Sequence, residues 1–128
     1  MSRKASPNRW NLVRSAQDAS RGLGYAFWHT RSLQLGVAIT VVALLIGWAL
    51  RLSLVELVLI LIGGTLVLAI ETLNTAIEML CDFVHSGTDP RIGLVKDVAA
   101  GATAWAELGG FLGLLALYAV HVWRLFGH

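Results

Sequence analysis

V-E-L-V-L-I-L-I-G-G-T-L-V-L-A-I-E-T-L-N-T-A-I-E-M-L-C-D, residues Val55 to Asp82, begins as an apolar run and ends as an acidic one. A helix needs ~20 predominantly apolar residues to cross ~30 Å of hydrocarbon, so the first part reads as a membrane span. Within and beyond it stand Glu71, Asn74, Glu78 and Asp82, at steps of three, four and four. Those steps stack the four side chains on one helix face. A charged carboxylate at mid-bilayer costs about 2.5–3.5 kcal/mol on the insertion scale, so it persists only where something polar meets it. The stripe therefore reads as a site for a cation, a proton or a lipid hydroxyl.

Working outward, the rest of the chain fits the same environment. Of 128 residues 56% are hydrophobic and 14% charged, with a mean hydropathy of +0.68. That excludes an ordinary soluble domain and indicates an integral membrane protein. Three spans are expected, at about 33–50, 55–80 and 98–123, within a single all-α domain covering 1–128. Arg51, Ser53 and Glu56 form a short external turn after the first. Six bases (Arg3, Lys4, Arg9, Arg14, Arg21 and Arg31) precede the first span, and Arg91 and Lys96 add two more on the same side. The positive-inside rule then places the N-terminus in the cytoplasm and the C-terminus, Arg124 to His128, outside. The bases are too dispersed for nucleic acid. The single cysteine, Cys81, excludes a disulfide framework. No apolar leader with a cleavage site opens the chain.

Before the first span, at about 9–30, Leu12, Ala16, Ala19, Leu23 and Ala26 recur at helical spacing opposite Arg14, Gln17, Asp18 and Arg21. This predicts an amphipathic helix on the inner leaflet. Trp10, Tyr25 and Trp28 suit the interface, and Gly22 and Gly24 are expected to bend the arm. Small residues punctuate the spans (Gly63, Gly64, Gly101, Gly109, Gly110, Gly113), where helices in lipid approach closely. Three spans make a thin scaffold for a polar site, which favours a homo-oligomer with sites between subunits.

The connection from about Cys81 to Asp97 is read as a cytoplasmic loop carrying Asp82, His85, Asp89, Arg91, Lys96 and Asp97, with Lys96 and Asp97 where the third span begins. Facing the acidic stripe, such a set can hold a nucleotide with magnesium: carboxylates take the metal and lysine offsets phosphate charge. Counting from Val55 puts the inner membrane boundary near Asn74. Glu71 lies just inside it, suited to take up a proton as a general base. The chain has neither a P-loop nor a G-x-G-x-x-G signature, so side chains must build any phosphate site. Glu107, ~14 Å into the third span by helix rise, is expected to be a protonated carboxyl bonded across a subunit interface. It stands too far along its helix to join the phosphate chemistry. His85 and Asp89 shape the loop in this reading.

The segment Glu71 to Asp82, E-T-L-N-T-A-I-E-M-L-C-D, followed by K-D-V-A-A-G-A from Lys96 to Ala102, resembles the prokaryotic diacylglycerol kinase and undecaprenol kinase family. The resemblance extends over the three-span layout and the N-terminal arm. It implies a homotrimeric enzyme of the bacterial inner membrane that uses Mg-ATP to phosphorylate a lipid alcohol at subunit interfaces. It makes Glu71 the catalytic base, with Asn74 beside it. Glu78 becomes a magnesium and ATP ligand; Asp82, Lys96 and Asp97 become nucleotide contacts, and Asp89 joins them where the family often has histidine. Gly22 and Leu23 match a small-residue turn in the arm. Thr30 falls where an acidic metal ligand is usual, Ala100 where diacylglycerol-specific members often have serine, and an aromatic residue is missing near Asp18. The run from Lys96 is closer to the undecaprenol branch. Two other readings stand beside this one: a small ion- or proton-coupled transporter using Glu71 and Glu107, and a kinase relative with weakened ATP turnover that binds lipid.

Overall fold

The computed structural model describes residues 12–127. The expected bases Arg3, Lys4 and Arg9, the interfacial Trp10 and the terminal His128 lie outside them. The described residues form four helices: α1 (Leu12–His29), α2 (Arg31–Ala49), α3 (Leu54–Val84) and α4 (Pro90–Phe126). The last three are each long and apolar enough to cross a membrane, with mean hydropathies of 2.0, 2.3 and 1.5 over their most apolar windows. Helices satisfy their own backbone, which lipid demands. Their large side chains mostly face outward (Phe83 is 89% exposed), as suits a chain solvated by acyl tails or by further copies.

α3 lies between α2 and α4, and α1 meets α2 and α3. Most of α1 is exposed, with Ala26 buried near its end. Gly22 and Gly24 do not interrupt it; the helix runs on through both, so the small-residue turn expected there is absent. The chain turns instead at Thr30, whose extended backbone (φ −120°, ψ 112°) separates two helical runs. Gln34 closes the corner by donating from Nε2 to the Phe27 carbonyl at 2.9 Å.

At the other end, Arg51 takes a left-handed conformation (φ 59°) and Ser53 opens α3 with a capping box to Glu56. The same Glu56 carboxyl lies 3.4 Å from Arg124 and 3.7 Å from His121. The turn between α2 and α3 is thereby tied to the last turns of α4. Beneath it sits a small core of Ala43, Leu52 and Ile60, crossed by a hydrogen bond from the Tyr118 hydroxyl to the Ala43 carbonyl.

The connection between α3 and α4 is only residues 85–89, not the long loop expected from Cys81 to Asp97. Pro90 stands in the first turn of α4, where its missing N–H is no loss and its fixed φ is already helical. Asp89 caps the helix, its Oδ1 accepting from the Arg91 backbone N–H at 2.8 Å while the Arg91 guanidinium grips both carboxyl oxygens. Lys96 and Asp97 therefore sit well inside α4, not at its start.

α2 and α3 approach closest where a side chain is missing. A Cβ on Gly64 would fall 2.5 Å from the Thr40 side chain, itself pinned by a 2.8 Å hydrogen bond to the Gly36 carbonyl. Overpacking of this kind costs about 1–3 kcal/mol. Gly64→Ala should lower the unfolding midpoint in detergent accordingly, and adding Thr40→Ala should recover much of the loss. A lone Gly64→Ala with an unchanged midpoint would show that the two helices do not meet there.

Asp89 gives a pH signature. The Arg91 guanidinium, and then the backbone N–H groups of the first turn, hold its carboxyl below the usual aspartate range. A depressed folded-state value means the cap contributes fully above the ordinary aspartate pKa, about 3.9, and is lost as pH falls through the lowered one. The stability gap between the native chain and Asp89→Ala should thus be present at neutral pH and close in acid. A gap that survives acid titration would refute the cap.

Candidate active site

The antiparallel register of α3 and α4 is set at the short connection and propagates along both helices. Near it the Lys96 ammonium donates to Asp82 Oδ1. Eleven residues further along each helix the same register brings Glu107 level with Glu71, ~16 Å deeper by helix rise. One register thus sets Glu107, on α4, at the level of the carboxyl singled out as a base on α3. The two acids share one level, so an inner boundary drawn just past Glu71 and a mid-bilayer Glu107 cannot both hold.

Glu71 is 6% exposed. From the start of α2, Ser32 Oγ donates to its Oε2 at 2.7 Å. Thr75, one turn on and also buried, donates to the Glu71 carbonyl at 3.1 Å. The Thr75 hydroxyl in turn lies 3.3 Å from that of Thr30. The corner between α1 and α2 is thus stitched to α3 by neutral hydroxyls, and Thr30 spends its hydroxyl on this stitch.

Toward the connection the face becomes progressively exposed. Asn74 Nδ2 donates to Glu78 Oε1 at 3.0 Å, while Asn74 Oδ1 is buried without a partner. Buried acceptors are rarely left unmet, and among the described residues this one has no donor. Glu78 is exposed and has oxygen lone pairs to spare. Asp82 and Lys96 neutralise each other at the rim. Asp97 projects, exposed, from the same part of α4. Asp89 stands apart in its cap, at the edge of an open groove of about 390 Å³ lined by Val84, His85, Asp89, Arg91, Ile92 and Val95.

Among the described residues no three acids, histidines or cysteines converge as a ready-made metal cage. Magnesium does not ask for one. It commonly keeps its waters and is held by one or two carboxylates together with substrate phosphates. Glu78, exposed and only partly engaged, fits that pattern; Thr30 offers a neutral hydroxyl already bonded to Thr75.

The register thus gathers Glu71, Asn74, Glu78, Asp82 and Lys96 along one seam, and leaves Asp89 in the cap. Three relations escaped the sequence reading: Ser32 and Thr75 at Glu71, and the level that Glu107, singled out as too distant for the phosphate chemistry, shares with it. Two had a signal available. Thr75 stands four residues after Glu71, and counting back along α3 and forward along α4 from the Asp82–Lys96 pair leads to Glu107. Ser32 had none, because the corner that brings it to Glu71 is a tertiary feature.

Comparison with known proteins gives the chain its family. The chain is 33% identical over 107 residues to the undecaprenol kinase of Bacillus subtilis (strain 168), an alignment covering 81% of this chain and 85% of that protein. The model of the prokaryotic diacylglycerol kinase family matches residues 17–121, a stretch that takes in the Thr30 corner, the whole acidic face of α3 and its partners on α4. A membrane protein with three apolar helices and that stretch in common, the chain belongs to the prokaryotic diacylglycerol kinase family.

Proposed function

We propose that the protein is a lipid kinase, transferring the γ-phosphoryl group of Mg-ATP to the hydroxyl of a membrane lipid alcohol at the cytoplasmic face of the bacterial inner membrane. The carrying observation is the graded face of α3. A buried carboxyl oriented by Ser32 lies at its deep end, an unpartnered Asn74 oxygen in the middle, and an exposed Glu78 beside the Asp82–Lys96 pair at the rim. A headgroup entering from lipid meets the deep end and a nucleotide from water meets the rim.

In this reading the lipid hydroxyl gives its proton to Glu71 as its oxygen attacks the γ-phosphorus, and ADP departs. Asn74 Oδ1 accepts a hydrogen bond that orients the reacting group. Glu78 would hold the magnesium, whose charge would offset that of the phosphate oxygens. Lys96 turns from Asp82 to the phosphates, and Asp82, Asp89 and Asp97 complete the nucleotide contacts. Undecaprenol is the favoured alcohol over diacylglycerol, because the named relative is an undecaprenol kinase and the K-D-V-A-A-G-A run carries alanine at 100. A homotrimer is proposed with the site between subunits: the exposed apolar faces of three thin helices call for partners, and the amphipathic α1 would rest on the inner leaflet beside them.

Labelled γ-phosphate transfer to undecaprenol or diacylglycerol in detergent micelles tests the reading. Glu71→Gln should lower kcat by about 10²–10⁴-fold, the usual worth of a general base, with KM for Mg-ATP little changed. Transfer that survives the substitution removes the base. Absence of transfer from the native chain to either alcohol, together with proton flux in liposomes, would favour a transporter.

Thr30 generates a separate expectation. A hydroxyl stitched to Thr75 contributes no charge to a metal, so Thr30→Glu should reduce the magnesium concentration needed for half-maximal rate. An unchanged or raised requirement would mean that position 30 does not face the metal.

A further inference from the structure

Ser32 stands in the first turn of α2, yet its hydroxyl bonds outside its own helix. Serines near a helix start commonly bond to backbone close by. This one donates from Oγ to Glu71 Oε2, 39 residues on in the chain, at 2.7 Å. The corner that carries it is held by its neighbours. Leu33, next in sequence, is 4% exposed, Gln34 is tied to the Phe27 carbonyl, and the Thr30 hydroxyl lies against that of Thr75. Thr75 itself donates to the Glu71 backbone carbonyl, not to the carboxyl. Ser32 is thus the neutral donor that reaches the acid, and among the described residues no lysine, arginine or histidine pairs with it. The two carboxyl oxygens become unlike: Oε2 is engaged, and Oε1 takes no hydrogen bond among the described residues.

We propose that Ser32 is a positioning residue for the transfer: by holding Oε2 it fixes the rotamer of Glu71 and presents Oε1 to the lipid hydroxyl. The role rests on the kinase reading above and names which oxygen of the base reacts. As the alcohol oxygen bonds to the γ-phosphorus, its O–H bond breaks and one forms on Oε1, while the bond from phosphorus to the departing ADP oxygen breaks. A glutamate side chain left to itself samples several staggered rotamers, and a base that must be aligned loses rate with each one that faces elsewhere. α2 delivers the donor, so the corner at Thr30 acts on the chemistry without touching substrate.

Ser32→Ala removes the hydroxyl, and Ser32→Thr keeps it with one methyl more at a half-buried position. In the phosphate-transfer assay the alanine variant should lose about ten- to a hundredfold in kcat, the size of one hydrogen bond to a charged group, with KM for Mg-ATP unchanged. The threonine variant should recover most of that loss. Introduced beside Glu71→Gln, Ser32→Ala should bring no further loss, because a residue that acts through Glu71 then has no base to align. Full rate in Ser32→Ala, or threonine as slow as alanine, would overturn the role while the kinase reading stands on the native rate. A further loss beside Glu71→Gln would overturn it too, by giving Ser32 a partner other than the base. A native chain that transfers phosphate to neither alcohol defeats the kinase reading, and the positioning role falls with it.

Discussion

Acids placed on an apolar helix must find polar partners, and here the partners are supplied by register. The five-residue connection between α3 and α4 leaves little freedom in how far one helix slides along the other. Once Lys96 meets Asp82, Glu107 comes level with Glu71, because the same number of residues separates each pair. A shift of a single turn would break that level and leave Asp82 facing no ammonium. The connection is in turn fixed by Pro90 and the Asp89 cap, which begin α4 abruptly. A short local signal thus governs what stands level with the deepest acid of α3.

The two ends of the bundle use charge differently. Away from the acidic stripe, Glu56 completes a capping box and meets Arg124 and His121. Its demands are met within the chain, and it functions as a clip between α4 and the α2–α3 turn. At the other end Asn74 Oδ1 has no partner, Glu78 has oxygens to spare, and Asp82 holds its lysine at an exposed rim. Satisfied polar groups stabilise a fold, whereas unsatisfied ones indicate where a ligand is awaited. That contrast, more than the number of acids at either end, distinguishes site from scaffold.

Much of this was legible before any coordinates. Three spans follow from the length of apolar runs, and the steps of three and four from Glu71 to Asp82 assign one helix face. What failed were readings that treated helices one at a time. Depth along its own span says nothing of what Glu107 faces, and a boundary counted from Val55 nothing of what faces Glu71, because neither count contains the partner helix. The start of α4 was misplaced because Pro90 was absorbed into a loop, although a proline after an aspartate suits a first turn better. Gly22 and Gly24 suggested a bend, yet a weak helix former does not break a helix whose neighbours support it. The Thr30 corner, which brings Ser32 to Glu71, is set by packing of α1 and α2 against α3 and has no local signature.

Thr30 and Glu107 gain meaning together. By the family resemblance, the arm lacks an acid where one is usual and α4 carries one that the pattern does not explain. The second does not replace the first. By the register of α3 and α4, Glu71 and Glu107 lie ~16 Å from the Lys96 rim where a triphosphate would rest. At that separation neither carboxyl can reach a metal held at the rim. Metal affinity would therefore depend on Glu78, its neighbours at the rim and the phosphates themselves, while the deep pair is left to the alcohol. A site divided in this way separates the charge that binds the nucleotide from the charge that accepts the proton, so a loss at one end need not disable the other.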